Sequence, residues 1–82
     1  MTVREETLVR VEELIDPFNK KGVALREDTR FATDLEWDSL TVMDFVAAVE
    51  DEFDILITMN MQAEIETIGQ LVDAVQMLKA KA

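Results

Sequence analysis

The stretch from Asp38 to Phe53 leaves this chain little freedom of fold. Val42, Phe45, Val46, Val49 and Phe53 recur at three- and four-residue spacing. At about 100° per residue they fall within an arc of about 100°, the width of a helix face that must be buried against a core. The opposite side holds Leu40, Asp44, Ala47 and Asp51, with Met43 and Glu50 at its edge. Such a helix has two committed faces, one packed inward and one presenting carboxylates with apolar side chains among them. Asp38 stands where an N-cap belongs, its carboxylate an acceptor for the free N–H groups of the first turn.

The rest of the chain supplies partners for that helix. From Thr2 to Asp16, Leu8, Val11 and Ile15 form a stripe, with Val3 and Leu14 nearby and charged residues mostly off it. Asp16-Pro17 marks its end, because a residue before proline is pushed out of the helical region. A long connection follows from Phe18 to Trp37, broken by Gly22 and two polar runs. Val23, Leu25, Phe31 and Leu35 are spaced through it as apolar anchors, and a loop of about twenty residues is expected to hold a helical turn or a function. Ile55-Leu56-Ile57 reads as a buried connection, and Thr58 caps a short helix from Met59 to Ile65. Thr67 and Gln70 have the spacing of a capping box. The helix they open buries Ile68, Leu71, Val72, Val75 and Leu78. The expected fold is all-α, a small bundle of three main helices plus one short helix, with a long first loop. Residues 1–82 are expected to form one domain.

Composition narrows the chemistry. There is no His and no Cys, which excludes Ser-His and Cys-His nucleophile pairs and any soft-ligand metal site. A calcium loop starting at Asp34 would put Ser39 where glycine is needed and Phe45 where the bidentate Glu belongs. All eight bases lie towards the ends, at Arg4, Arg10, Lys20, Lys21, Arg26, Arg30, Lys79 and Lys81. Between Phe31 and Leu78 there are eleven acidic residues and no Lys or Arg, so that segment carries −11, the rest +1 and the whole −10. Such a field repels nucleic acid and attracts basic protein surfaces. No apolar stretch approaches the roughly 20 residues of a membrane span. The absence of cysteine and the charged start, Arg4-Glu5-Glu6, suit a cytoplasmic monomer without a signal peptide.

Within this frame Asp38-Ser39-Leu40 stands out. A serine just inside a helix start cannot be activated by this chain, yet the free N–H groups and the positive dipole end there favour an attached phosphate-type group. It can therefore be modified from outside. The run from Phe31 to Ile55, with Asp38-Ser39-Leu40 at its centre and Glu50-Asp51-Glu52-Phe53-Asp54 near its end, resembles the acyl carrier protein family, and the likeness extends over roughly residues 3–78.

The resemblance implies a non-catalytic carrier. A phosphopantetheinyl transferase would place 4′-phosphopantetheine from coenzyme A on Ser39, and Asp38 and Leu40 would belong to the attachment motif. Acyl intermediates of lipid or polyketide-type biosynthesis would ride on the arm as thioesters. Leu40, Met43, Asp44, Ala47, Glu50 and Asp51 would dock basic patches on acyl-transferring or condensing enzymes. An aminoacyl or peptidyl carrier, or an acidic adaptor that is never modified, would share much of this pattern. Two departures suggest a dedicated pathway. Glu36 stands where the family commonly has glycine, next to Trp37, whose indole is expected to pack over the loop. Met59 and Met61 replace the usual proline and acidic residues, as core or as lining for an adaptable acyl pocket.

Overall fold

The computed structural model describes residues 3–81, the side chain of Lys81 excepted; Thr2, the expected first helical residue, lies outside them. Four α-helices appear in chain order: α1 Val3–Ile15, α2 Ser39–Phe53, α3 Met59–Glu64 and α4 Ile68–Lys81. Among the described residues there is no strand, and no helix long and apolar enough to cross a membrane. The all-α bundle expected from the sequence is the fold observed.

Local chemistry sets most boundaries. Asp38 caps α2, accepting from the Thr41 N–H at 2.8 Å. Thr58 caps α3 through the Met61 N–H at 3.2 Å, and Ile65 is the C-cap rather than the last helical residue. The capping box forms at α4. Thr67 Oγ1 accepts from the Gln70 N–H at 3.2 Å, and Gln70 Oε1 accepts from the N–H groups of Thr67 at 3.0 Å and Glu66 at 2.7 Å. At Pro17 the chain does not break outright but tightens into a 3-10 turn, Asp16–Phe18.

The core is one cluster. Val11 and Ile15 of α1, Phe45 and Val49 of α2, and Ile68, Leu71, Val72 and Val75 of α4 are almost fully buried. Each is a residue of an expected stripe. α1 packs most extensively against α4. Thr7, which no apolar pattern marks, is also buried there. Its hydroxyl donates to Val3 O at 3.1 Å and accepts from Gln76 Nε2. Val3, by contrast, is exposed.

The long loop is strapped down rather than coiled. Phe31 N donates to Glu66 O, Ile68 N to Thr29 O and Gly69 N to Glu27 O, which ties the loop to the start of α4. A Cβ on Gly69 would sit 3.0 Å from Glu27 O, so a larger residue here would have to push the strap back by a few tenths of an ångström. Phe31 and Leu35 are buried anchors as expected, and Val23 and Leu25 pack partly against the core. One expectation fails in the connection after α2. Ile55 and Ile57 are buried, but Leu56 is 80% exposed, because an extended segment sends alternate side chains to opposite sides.

Candidate functional site

Ser39 is the first residue of α2, and its side chain is exposed. The preceding loop brings it there through Trp37. The indole is 8% exposed, its Nε1 donates to Phe18 O at 3.1 Å, and its ring stacks on Phe31 with centroids 5.3 Å apart. Phe45 closes the group at 5.0 Å from Trp37. The residue before the cap is therefore a packing residue, as the sequence suggested. Glu36 adopts φ 54°, a left-handed conformation unusual for glutamate, and pairs with Lys21. The position thus has a glycine-like backbone without a glycine.

The cap has an electrostatic consequence. The Thr41 amide, with the Thr41 hydroxyl and the charge of Lys20 adding to it, holds the Asp38 carboxyl below its ordinary range. Asp38 is thus committed to the helix start as an anion.

Two spaces adjoin Ser39. An open groove of about 510 Å³ is lined by Trp37, Asp38, Ser39, Met43 and Met59, among others. Behind it lies a more enclosed, mainly apolar cavity of about 350 Å³ between α2, α3 and the loop, with Phe31, Phe45, Val46, Ile65 and Leu71 in its wall. The two methionines singled out in the sequence part company. Met59 is 86% exposed at the groove, whereas Met61 packs partly against the core. Gln62, which also lines both spaces, went unnoticed in the sequence; its only signal was a carboxamide one turn after Met59, with apolar Met61 and Ile65 beside it.

On the outer face of α2, Leu40 is 72% and Met43 59% exposed, and Asp44, Ala47 and Asp51 are exposed with them. Glu50 is half-buried, and its Oε2 accepts from the Ile57 N–H at 2.8 Å, which ties the following connection to the helix. The charge segregation seen in the sequence is partly undone in space. Arg4 pairs with Glu27 and Asp73, Arg10 with Glu13 and Glu52, Lys21 with Glu36, and Arg30 with Glu66. Asp44 and Asp51 enter no ion pair with a described residue. Both therefore leave uncompensated charge on this face, beside exposed Leu40 and Met43.

Comparison with known proteins agrees with this geometry. Residues 18–75 match the family model described as a phosphopantetheine attachment site. The chain is 34% identical to the acyl carrier protein of Lactobacillus acidophilus over 77 residues, covering 93% of this chain and 92% of that one. It is 32% identical over 75 residues to the mitochondrial acyl carrier protein of Saccharomyces cerevisiae, covering 85% of this chain and 60% of that longer one. A solved structure from Mycobacterium tuberculosis, described as an acyl carrier protein, superposes with a TM-score of 0.80 at 24% identity. That match covers 87% of this chain and 96% of the other, and speaks for the fold.

Proposed function

The chain belongs to the acyl carrier protein family, as a non-catalytic carrier whose cofactor is phosphopantetheine, and we propose that Ser39 is the residue that carries it. The observation that supports this most is the position of Ser39 on the first turn of a capped helix. Its hydroxyl is exposed and opens on a groove with room for an arm. The residues there suit the group. First-turn N–H groups and the dipole of α2 favour the negative phosphodiester, and Asp38, the nearest carboxylate in sequence, is already held by Thr41.

Attachment forms a bond from Ser39 Oγ to phosphorus as the phosphorus–oxygen bond to the nucleotide part of coenzyme A breaks. The hydroxyl proton leaves to a base of the transferase. When bound, the arm supplies the thiol on which acyl groups ride as thioesters, chemistry that a chain without Cys cannot provide itself. The chain's own residues position and present. Asp38 and Thr41 fix the helix start, and Trp37 braces it against Phe18 and Phe31. The cavity behind the groove gives an apolar cargo shelter from water.

The docking face consists of Leu40, Met43, Asp44, Ala47 and Asp51, with Glu50 at its edge doing structural work as well. A phosphopantetheinyl transferase, and acyl-transferring or condensing enzymes with basic patches, fit it by charge. Exposed carboxylates speed association, and a small apolar centre of this kind suits brief encounters. An apolar cavity favours acyl over aminoacyl cargo, in lipid or polyketide-type biosynthesis.

The test is intact mass after incubation with coenzyme A and a transferase. Wild type should gain one arm. Ser39→Ala should gain none while keeping its fold, since an exposed hydroxyl costs under about 1 kcal/mol to remove. An arm on Ser39→Ala would place the site elsewhere, and an unmodified wild type would favour the adaptor reading.

A further inference from the structure

The groove that contains Ser39 and the cavity behind it share part of their lining. Ala32, Trp37, Val42 and Gln62 face both spaces, so these four side chains form the partition between attachment site and interior. Three of them are short or fixed. Ala32 has no rotamer to change. Val42, β-branched on a helix, holds one strongly preferred rotamer. Trp37 is pinned by its hydrogen bond to Phe18 O and its stacking on Phe31.

Gln62 is different. It is half-buried, it has a long flexible side chain, and its carboxamide makes no hydrogen bond to another described residue. It also stands on the least anchored helix. α3 is six residues long and has no fully buried side chain, which places it at the low-stability end of the fold.

We propose that Gln62 is the movable member of this partition and controls passage of the tethered acyl chain from the groove into the cavity. This rests on the carrier reading of Ser39 and adds to it a residue that sets which cargo is sheltered. The inner wall is mainly aromatic and aliphatic, with Arg30, Thr33 and Glu66 also in it, so the part that enters is mainly apolar. A cavity of about 150 Å³ holds benzene, and about 350 Å³ therefore holds roughly twice that bulk. A carboxamide both donates and accepts. At the threshold it can bond the polar, attached end of a cargo whose far end lies inside. The cargo class is an acyl group polar only near its thioester.

The experiment bypasses the transferase. Ser39→Cys introduces the only thiol of the chain, and a straight-chain N-alkylmaleimide can be tethered to it. The sulfur–carbon bond forms across the maleimide double bond, and the thiol proton ends on the neighbouring carbon. The readouts are Tm and the emission of Trp37, the only tryptophan, against N-methylmaleimide as control. With Gln62 in place, a long alkyl tail should raise Tm by a few degrees and shift the emission. Gln62→Phe should suppress both responses, with the unlabelled variant checked for its fold by circular dichroism. Gln62→Ala should keep both and extend them to branched tails that the parent excludes.

If Gln62→Phe and Gln62→Ala both respond like the parent, or no tail produces a response in any background, the proposal fails. Loading of native Ser39 from coenzyme A is measured separately. A tail response with no such loading leaves the partition standing and removes the carrier reading; loading with no tail response does the reverse.

Discussion

The α1–α4 side of the bundle and the α2–α3 side are built differently. Where α1 meets α4, Val11, Ile15, Ile68, Val72 and Val75 have no exposed surface, and the one buried hydroxyl, Thr7, is bonded to Gln76 and Val3. On the other side, α3 buries none of its residues fully, a cavity separates it from Phe31, Phe45 and Leu71, and Leu40, Met43 and Met59 face outward. The difference teaches where stability is stored and where it is withheld. A carrier needs one wall that holds the fold while the other yields to cargo and to partners. Close packing on one side lets so small a chain tolerate a hollow on the other.

Phe45 sits where the two sides meet, so its removal should have the largest effect. It is 2% exposed and in ring contact with Phe18, Phe31 and Trp37. Phe45→Ala should cost roughly 3–5 kcal/mol, much of the stability of a domain this size. Thermal or urea unfolding measures it. A loss under about 1 kcal/mol would mean that the hollow side relaxes freely around Phe45 and that the contrast is overstated.

A smaller effect, of opposite sign, is expected at Glu36. A non-glycine residue in the left-handed region costs about 1–2 kcal/mol, and the exposed Lys21 pair offsets little of it. Glu36→Gly should therefore stabilise by about 1 kcal/mol or less, after the extra freedom that glycine gives the unfolded chain. Asp54, the other left-handed non-glycine residue among those described, caps α2 at its C-terminal end. Aspartate tolerates that conformation better than glutamate, so Asp54→Gly should gain less. Equal gains would separate the effect from side-chain chemistry.

How far the sequence disclosed this molecule follows the range of the forces involved. The Asp38 cap, the Thr58 cap and the Thr67–Gln70 box were legible because each acts within three residues. The buried stripes were legible because periodicity reports a face. What depended on distant partners was not. Nothing near Thr7 announces Gln76, nothing in Thr29 or Phe31 announces a strap to the start of α4, and Glu50 looks like surface until Ile57 N–H is found beside it. The Ser39 motif was readable as three letters on a helix, whereas the partition behind it exists only once the loop and α3 are brought together.

A still smaller effect separates the cap from its surroundings. The folded-state carboxyl of Asp38 lies below its ordinary value of 3.8. Its contribution is therefore present above that value and is lost as pH falls through the lower, folded one. Asparagine caps without a charge. The Tm advantage of wild type over Asp38→Asn should thus shrink as the pH drops below the ordinary carboxylate range. Glu52, held down by Arg10, adds a slope of the same sign to both proteins and cancels. A difference independent of pH would mean that the charge on the cap contributes nothing.

The smallest effect on stability, and the largest on traffic, belongs to the outer face of α2. Asp44 and Asp51 are exposed and without an ion pair among the described residues, so Asp44→Lys with Asp51→Lys should leave the unfolding free energy within about 0.5 kcal/mol of wild type. Any change should be a gain, because the pair relieves repulsion in a segment that carries eleven carboxylates. Loading by a transferase should slow, since two attractions become repulsions and the loss falls on the association rate. The defect should shrink with salt, as the Debye length falls from about 10 Å at 0.1 M to about 3 Å at 1 M. Initial loading rates across that series measure it. A defect that does not respond to salt would mean that shape rather than charge guides docking. Matching rates at low salt would make the face mere solvated surface. The yielding side of the bundle would then owe its openness to cargo alone.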